Sequence, residues 1–134
     1  MKRMLDTNAY VALKRGNERV AELIRSAEEL VFSIVVVGEL LFGFRNGTRY
    51  ERNLDELQQF LSHPAVALLP AGRVTADRFG RVAAALRKAG TPIPTNDIWI
   101  AAHAMEAGAE LITFDRHFEC VAGLAVMVEQ DERA

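Results

Sequence analysis

The sequence predicts an α/β fold in which helices cover both faces of a mostly parallel sheet of four to five strands. Short apolar segments rich in β-branched and aromatic residues alternate along the 134-residue chain with amphipathic stretches of helical periodicity. Strands separated by helices need crossover connections, which produce parallel pairs. No repeat or linker divides the chain and its length suits one domain, so we predict a single domain over residues 1–134.

The first half of the chain is predicted to contain two strands and four helices. Residues 2–5 form the first strand, and "AYVALKRGN" forms a short helix that ends near Gly16. A second helix spans "NERVAELIRSAEE", whose apolar residues share one face. The segment "LVFSI" is predicted as a buried strand. A helix is then predicted to begin around Val35 to Val37 and to end at a glycine. A charged amphipathic helix follows it.

The second half continues the alternation of strands and helices. "AVALLP" is predicted as the third strand, and "VTADRFGRVAAALRKAG" as a helix that Gly90 ends. "NDIWIAAHAMEAG" is apolar nearly all round, so we expect a buried helix. "AELITF" is the fourth strand, "DRHF" a turn and "LAVMVE" the fifth strand.

Composition narrows the class of protein. Half of the residues are hydrophobic and a quarter are charged, which excludes a disordered chain. A net charge of −2 argues against a protein that coats nucleic acid nonspecifically. The 13 arginines against 3 lysines are nevertheless compatible with a local patch that contacts phosphate or an acidic partner. The N-terminus lacks the apolar core of a signal peptide, and the longest apolar run, Leu30 to Phe44, contains Glu39 and is too short to span a bilayer. We therefore expect a soluble, cytoplasmic protein without membrane association.

Four separated carboxylates are predicted to meet at one edge of the sheet. In an open parallel sheet, ligands bind beyond the carboxyl ends of the strands. Asp6 closes the first strand and Asp115 the fourth, while Glu39 lies about one turn into the helix that leaves the second strand. Asp97 begins the helix that returns to the fourth strand, so it starts at the same edge. Three of them have a local explanation, since Asp6 and Asp97 could cap helices and Asp115 could be a turn residue. Glu39 is harder to explain locally, because its neighbours on the helix face are Val35, Val36, Phe42 and Gly43, so we expect a desolvated carboxylate there.

Such a cluster needs a counter-charge. Two unit charges about 5 Å apart at an effective dielectric near 20 repel by roughly 3 kcal/mol, so the acids cannot all ionise without a cation or protonation. Hard oxygen ligands favour Mg²⁺ or Mn²⁺. Zinc is disfavoured, because His63, His103 and His117 lack metal-ligand spacing, and His103 is expected to be a core residue or to support the site from behind.

The motifs resemble those of PIN-domain ribonucleases, in particular the VapC toxins of toxin-antitoxin pairs. The resemblance rests on "LDTN", "SIVVVGELLFG", "PIPTNDIWIAAHAMEAGAELITFDRHF" and the terminal "GLAVMV", and covers the whole chain. It implies a three-layer α/β/α domain that binds Mg²⁺ or Mn²⁺ through an acidic cluster and cuts RNA. From the chemistry of these ions we expect a metal-bound water to attack the phosphorus. The residues matching the family's catalytic and metal-binding acids are Asp6, Glu39, Asp97 and Asp115. The residues matching polar groups around them are Asn8, Asn96 and Thr113.

The sequence departs from this family at one position. Many members have Thr three residues before the Glu, where this chain has Val36. The change removes a helix cap, for which Ser33 is the nearest substitute, but it removes no carboxylate. The resemblance therefore still implies activity and leaves the RNA target open.

The resemblance also implies partners, namely a small antitoxin and a second copy of the chain in a homodimer. In "LLFGFRNGTRYER" the aromatic residues Phe42 and Phe44 lie next to Arg45, Arg49 and Arg52, a pattern suited to an acidic amphipathic segment or to RNA phosphates. The alternative is that the phenylalanines belong to the core and the arginines to a solvated helix face.

Other function classes remain as alternatives. A catalytically silent PIN-like binding or scaffold domain would keep the fold, although the intact set of four acids speaks against it. A receiver-type phospho-acceptor domain would show adjacent acids after the first strand and a late lysine, whereas Asp6 is followed by Thr7 and the last lysine is Lys88. A haloacid-dehalogenase-type phosphatase would have a second Asp where this chain has Asn8.

Overall fold

Five parallel strands form the sheet in the part of the chain that the structure describes. The computed structural model describes residues 1–130, so residues 131–134 of the predicted domain lie outside the described residues. The strands are β1 (Lys2–Leu5), β2 (Glu29–Ser33), β3 (Val66–Leu69), β4 (Glu110–Thr113) and β5 (Val126–Val128). Their order in the sheet is β3-β2-β1-β4-β5, and every neighbouring pair is parallel. The predicted parallel sheet is confirmed.

Within residues 1–130, six α-helices connect and cover the strands. They are α1 (Thr7–Lys14), α2 (Glu18–Arg25), α3 (Ile34–Arg45), α4 (Tyr50–Leu61), α5 (Arg73–Ala89) and α6 (Thr95–Ala107). The predicted "DRHF" turn is the start of a 3-10 helix over Arg116–Cys120. Within residues 1–130, no helix combines the length and apolarity needed to cross a membrane.

Both faces of the sheet are buried. Successive side chains of a strand point to opposite faces, yet Met4 and Leu5 of β1 are both fully buried, as are Leu111 and Ile112 of β4. Helices must therefore lie on each side of the central strands, which gives the predicted α/β/α layers.

Two strands pass into helices with almost no loop. Asp6 follows β1 and caps α1 by accepting a hydrogen bond from the Thr7 amide. Ser33 ends β2 and caps α3, with its hydroxyl oxygen 3.0 Å from the amide nitrogen of Val35. Both helices consequently begin earlier than predicted, and Ile34 belongs to α3 rather than to the strand. Side-chain caps explain these sharp junctions, since they satisfy amide groups that the first helical turn leaves unpaired.

The chain order creates a crevice beside β1. From β1 the chain winds outward to β2 and β3, then returns to place β4 on the other side of β1. Ligands of open parallel sheets bind where the winding direction changes, beyond the carboxyl ends of the strands. Leu5 is paired with Ile112 in the register of β1 and β4, so the next residues, Asp6 and Thr113, are neighbours at this edge.

Candidate active site

A cleft of about 1210 Å³ opens at the carboxyl ends of β1 and β4. It is bounded by residues from α1, α3, the start of α6 and the segment after β4. The predicted site residues in its lining are Asp6, Asn8, Glu39, Asn96, Asp97 and Asp115. Thr113, the seventh, is fully buried and contacts Asp6. The structure thus gathers the predicted side chains at one place, and their catalytic roles stay predictions.

Asp6 is the most deeply buried of the four acids, with 3% of its surface exposed. Its carboxylate accepts hydrogen bonds from the Thr7 amide (2.7 Å) and from the Thr113 hydroxyl (2.8 Å). The pKa of Asp6 is raised from 3.8 to about 6. Burial is the main cause, the hydrogen bonds from Thr113 and Thr7 oppose the rise, and the nearby charges of Asp97 and Glu39 add to it. Asp6 therefore both caps α1, as its sequence context suggested, and contributes a costly charge to the cleft.

Asp97 and Asp115 form a tighter group with His117. The His117 Nε2 atom lies 2.7 Å from Asp97 Oδ2 and 3.9 Å from Asp115 Oδ2. One ligand atom from each of the three residues lies within 4.8 Å of the others. Burial raises the pKa of Asp97, the contact with His117 lowers it, and the charges of Glu39 and Asp115 raise it. The side chain of Asp97 makes no capping bond to α6, so capping does not explain it.

Glu39 projects from α3 toward the same cleft. It accepts hydrogen bonds from the Thr7 hydroxyl (2.5 Å) and from the Asn96 amide group (3.3 Å). The apolar neighbours of Glu39 on its helix predicted a desolvated carboxylate. Glu39 is only half-buried, however, because Phe42 and Gly43 on the following turn are themselves exposed. Its position in the cleft nevertheless agrees with the sequence-based expectation.

The polar neighbours orient the carboxylates. Asn8 donates to Asp115 Oδ2 (3.2 Å), and its own oxygen accepts from the Phe114 amide (3.2 Å). The Thr113 hydroxyl accepts from the Asp115 amide (3.0 Å) while donating to Asp6. These bonds connect β4 to the start of α1, so the two strand ends and their acids are held as one unit.

His117 is the site residue that the sequence-based prediction missed. The spacing of the three histidines was used only to disfavour zinc, and His117 was not included among the predicted site residues. The structure places its imidazole beside Asp97 and Asp115. The Asp115-x-His117 spacing directly after a strand was the available signal.

Ser33 and His103 form a separate buried pair behind the cleft. Their hydrogen bond joins Ser33 Oγ and His103 Nδ1 (2.7 Å), and both residues are fully buried. His103 Nε2 contacts the Pro70 carbonyl oxygen (3.3 Å). Because the Pro70 carbonyl oxygen can only accept, His103 Nε2 carries the ring proton and donates to it. Nδ1 of the neutral ring then accepts from the Ser33 hydroxyl, which itself accepts from the Val35 amide. Burial lowers the pKa of His103, so the ring is neutral and structural. Ser33 is indeed the substitute cap for α3.

The donor set fits a divalent cation. Four carboxylates line the cleft, and within residues 1–130 none of them forms an ion pair with an arginine or lysine. Oxygen ligands of this kind suit Mg²⁺ or Mn²⁺. A bound cation would relieve the mutual repulsion that contributes to the raised pKa values of Asp6 and Asp97.

Comparison with known proteins gives relatives over nearly the whole chain. Residues 3–124 match the family described as the PIN domain. Ribonuclease VapC2 of Haemophilus influenzae is 36% identical over 127 residues, covering 92% of this chain and 95% of the relative. The tRNA(fMet)-specific endonuclease VapC of Salmonella typhimurium is 30% identical over 129 residues, covering 94% and 96%. The solved structure of VapBC-1 from nontypeable Haemophilus influenzae has a TM-score of 0.84 at 29% identity, covering 96% of this chain and 98% of that chain.

Proposed function

The chain belongs to the PIN-domain family, with VapC ribonucleases among its relatives, and we propose that it is a divalent-metal-dependent endoribonuclease that acts as the toxin of a toxin-antitoxin pair. One observation carries the proposal. Four carboxylates from distant parts of the chain share a cleft in which they have no arginine or lysine partner within residues 1–130. Placing several unpaired carboxylates in one cleft destabilises a fold, so stability alone does not explain their position.

The four acids have two roles in this proposal. Asp6, Asp97 and Asp115 would hold Mg²⁺ or Mn²⁺, directly or through water. The ion, when bound, supplies Lewis-acid chemistry: it makes water a better nucleophile and offsets charge on the phosphoryl oxygens. Glu39, held by Thr7 and Asn96, either completes the oxygen ligands or orients the water.

The polar residues fix these carboxylates before the substrate arrives. Asn8 and Thr113 restrict Asp115 and Asp6 through the hydrogen bonds described above, and Asn96 restricts Glu39. Preorganised ligands bind with less ordering cost, and outer hydrogen bonds of this kind typically affect metal affinity by about 10- to 100-fold.

RNA is the proposed substrate because a basic groove adjoins the acidic cleft. This groove, of about 540 Å³, is lined by four cationic residues and two acidic ones, Glu39 and Glu56. It shares Thr7, Val11, Arg15 and Glu39 with the cleft. The cations of the groove are Lys14, Arg15, Arg49 and Arg52. A polyanion bound there would have its backbone held by basic side chains while one phosphate reached the acids.

The experiment is cleavage of RNA by the purified protein with Mg²⁺, with Mn²⁺ or with EDTA. We expect cleavage only with a cation, and none by Asp97→Asn, which keeps the shape of the side chain but removes a charge. Asp55→Asn on the exposed face of α4 is the matched control and should cleave like the wild type. Cleavage in EDTA, or by folded Asp97→Asn, would contradict the proposal. A folded wild type that binds the cation and RNA without turnover would support the silent scaffold instead.

We also propose a small antitoxin as the inhibitory partner, because the solved structures that this fold resembles include VapBC toxin-antitoxin complexes.

The predicted partner surface around Phe42 and Phe44 is only partly exposed. Phe42 is 70% exposed, whereas Phe44 packs against the core, so only Phe42 is available to a partner. Arg45 stacks over Tyr50, with 4.4 Å between its guanidinium carbon and the ring centroid, and donates to the Tyr50 hydroxyl.

These residues define the arginine surface: exposed Phe42 together with Arg45, Arg49 and Arg52. An acidic amphipathic segment would meet an apolar anchor and several cations on it. Arg45→Glu with Arg49→Glu should weaken antitoxin or RNA binding without lowering the melting temperature. Unchanged binding of both ligands would mean that this surface is wrong, even if the acidic cleft is right.

A homodimer is the remaining element of the proposal. Two large apolar side chains, Leu68 on the edge strand β3 and Val74 on α5, are exposed and give a dimer a surface to cover. Sedimentation equilibrium should show a dimer for the wild type and a shift toward monomer for Val74→Glu. A monomeric wild type would contradict the proposed homodimer and leave the rest of the proposed function untouched.

A further inference from the structure

His117 lies among the carboxylates, although the proposed ribonuclease chemistry does not require an imidazole there. Its Nε2 atom is 2.7 Å from Asp97 Oδ2 and 3.9 Å from Asp115 Oδ2, and the three ligand atoms lie within 4.8 Å of one another. The side chain lines the cleft and is about one-third exposed. One nitrogen and two oxygen donors thus converge on a space of the size that a metal ion bridges.

The ring is held in this place by its surroundings. His117 belongs to the 3-10 helix that follows β4, and its ring centroid lies 5.0 Å from that of Phe118, which is fully buried. In the part of the chain that the structure describes, its only hydrogen bond is the one from Nε2 to Asp97. Nδ1 can therefore carry the ring proton without breaking a protein contact, and Nε2 can then offer its lone pair to a cation.

We propose that His117 Nε2 is a ligand of the divalent cation beside Asp97 and Asp115, and that it makes the site prefer Mn²⁺ over Mg²⁺. The inference rests on the proposed metal-dependent function and narrows its cofactor. Mg²⁺ strongly favours oxygen ligands and keeps several waters. Mn²⁺ accepts carboxylate ligands as Mg²⁺ does, but it is also the first member of the transition series whose affinity for nitrogen and oxygen sites rises from Mn²⁺ toward Cu²⁺. A nitrogen ligand is therefore better tolerated by Mn²⁺ than by Mg²⁺. A site of carboxylates alone would discriminate less between the two ions.

A competing role must be separated from ligation, because His117 could merely orient Asp97 through their hydrogen bond. His117→Gln provides the distinction. The glutamine amide can still donate to Asp97 but offers no nitrogen lone pair. An orienting role survives this substitution, whereas a nitrogen ligand does not. His117→Ala removes both functions, and His63→Ala is the matched control, since His63 is exposed and outside the cleft.

The first measurement is the affinity of the full chain for Mn²⁺ and, separately, Mg²⁺ by isothermal titration calorimetry. We expect the wild type to prefer Mn²⁺ by roughly tenfold or more, and His117→Gln and His117→Ala to lose roughly tenfold in Mn²⁺ affinity with little change for Mg²⁺. His63→Ala should match the wild type. If His117→Gln keeps the wild-type ratio of the two affinities, His117 orients Asp97 and the inference is overturned.

The second measurement observes the nitrogen directly. In protein labelled with ¹⁵N-histidine and titrated with diamagnetic Zn²⁺, the Nε2 resonance of His117 should move on binding, while His63 and His103 should not. No movement of the His117 resonance would overturn the inference. If both Mn²⁺ and Mg²⁺ bind and support cleavage but substitution of His117 changes neither affinity, the proposed function stands and only this inference fails. If the wild type binds neither ion, the proposed function and this inference fail together.

Discussion

Removing the charge of Asp6 should stabilise the protein in the absence of metal. Asp6 is 97% buried and is surrounded by the charges of Asp97 and Glu39, which together with burial raise its pKa from 3.8 to about 6. Each pKa unit corresponds to about 1.4 kcal/mol, so the ionised Asp6 weakens the folded state by about 3 kcal/mol at neutral pH. Asp6→Asn removes this penalty while nearly preserving the shape of the side chain.

The substitution has a smaller cost in hydrogen bonds. The asparagine oxygen can still accept from the Thr7 amide, but its amide group must face the Thr113 hydroxyl, which now donates to Asp6. Thr113 would have to turn its proton away and accept instead, at a cost of about 1 kcal/mol. The net expectation is a gain of about 2 kcal/mol in the free energy of unfolding at pH 7.5.

The sign of the pH dependence follows from the raised pKa. Between pH 3.8 and about 6 the folded state holds a proton on Asp6 that the unfolded state has released, so rising pH destabilises the folded wild type across this window. The penalty is absent below the window and complete above it. The advantage of Asp6→Asn over the wild type should therefore shrink by about 2 kcal/mol between pH 7.5 and pH 4.5.

Urea unfolding in EDTA, followed through the single tryptophan, measures these differences. Trp99 stacks on Phe79 with 4.2 Å between ring centroids, so its fluorescence should report loss of the contact between α5 and α6. Asp55→Asn, at an exposed position, is the control and should stay within about 0.5 kcal/mol of the wild type at both pH values. The reasoning is refuted if Asp6→Asn is no more stable than the wild type at pH 7.5, or if its advantage does not change with pH.

Three further predictions concern the buried polar network and the reaction products. Arg3→Met should cost about 2–4 kcal/mol in urea unfolding, because it leaves the Leu23 carbonyl and Glu110 without the buried guanidinium, while exposed Arg25→Met should be nearly neutral. His103 has a lowered pKa, so the wild type should lose stability as pH falls below 6.5 through protonation of the unfolded state; His103→Gln should lack this component, and an equal acid sensitivity in both proteins would refute the assignment. If water is the nucleophile, cleaved RNA should carry 5′-phosphate and 3′-hydroxyl ends, and a 2′,3′-cyclic phosphate detected by mass spectrometry would show attack by the ribose hydroxyl instead.

The sequence predicted the fold because its main signals are local. Short, mainly apolar segments mark the strands, although the longest β-branched run, Ile34 to Val37, lies in α3. The glycine after α5 adopts φ +72°, a left-handed conformation that ends a helix and favours glycine. The convergence of the four acids also followed from a general rule, since parallel strands bring their carboxyl ends to one edge. Helix starts were less accurate, because Asp6 and Ser33 cap helices without an intervening loop.

Contacts between segments that are distant along the chain could not be predicted from the sequence. The His117 to Asp97 contact joins a 3-10 helix to the start of α6, and its distance depends on how both elements pack. The Ser33 to His103 bond likewise crosses 70 residues. The exposure of Phe42 depends on which neighbours cover α3, and periodicity cannot show that in a helix that is apolar nearly all round.

Asp6 has two opposing effects on stability, and their balance bears on why the residue is there. As a cap for α1 it contributes about 1 kcal/mol, which Ser or Asn would supply equally well without a buried charge. Its ionisation costs about 3 kcal/mol, so folding alone does not favour Asp at this position. A cation that binds only the folded state stabilises it by about 2.7 kcal/mol at a concentration 100 times its dissociation constant. Ion binding at the cleft would therefore offset the charge of Asp6 almost completely, and this carboxylate would then couple the stability of the fold to occupancy of the site.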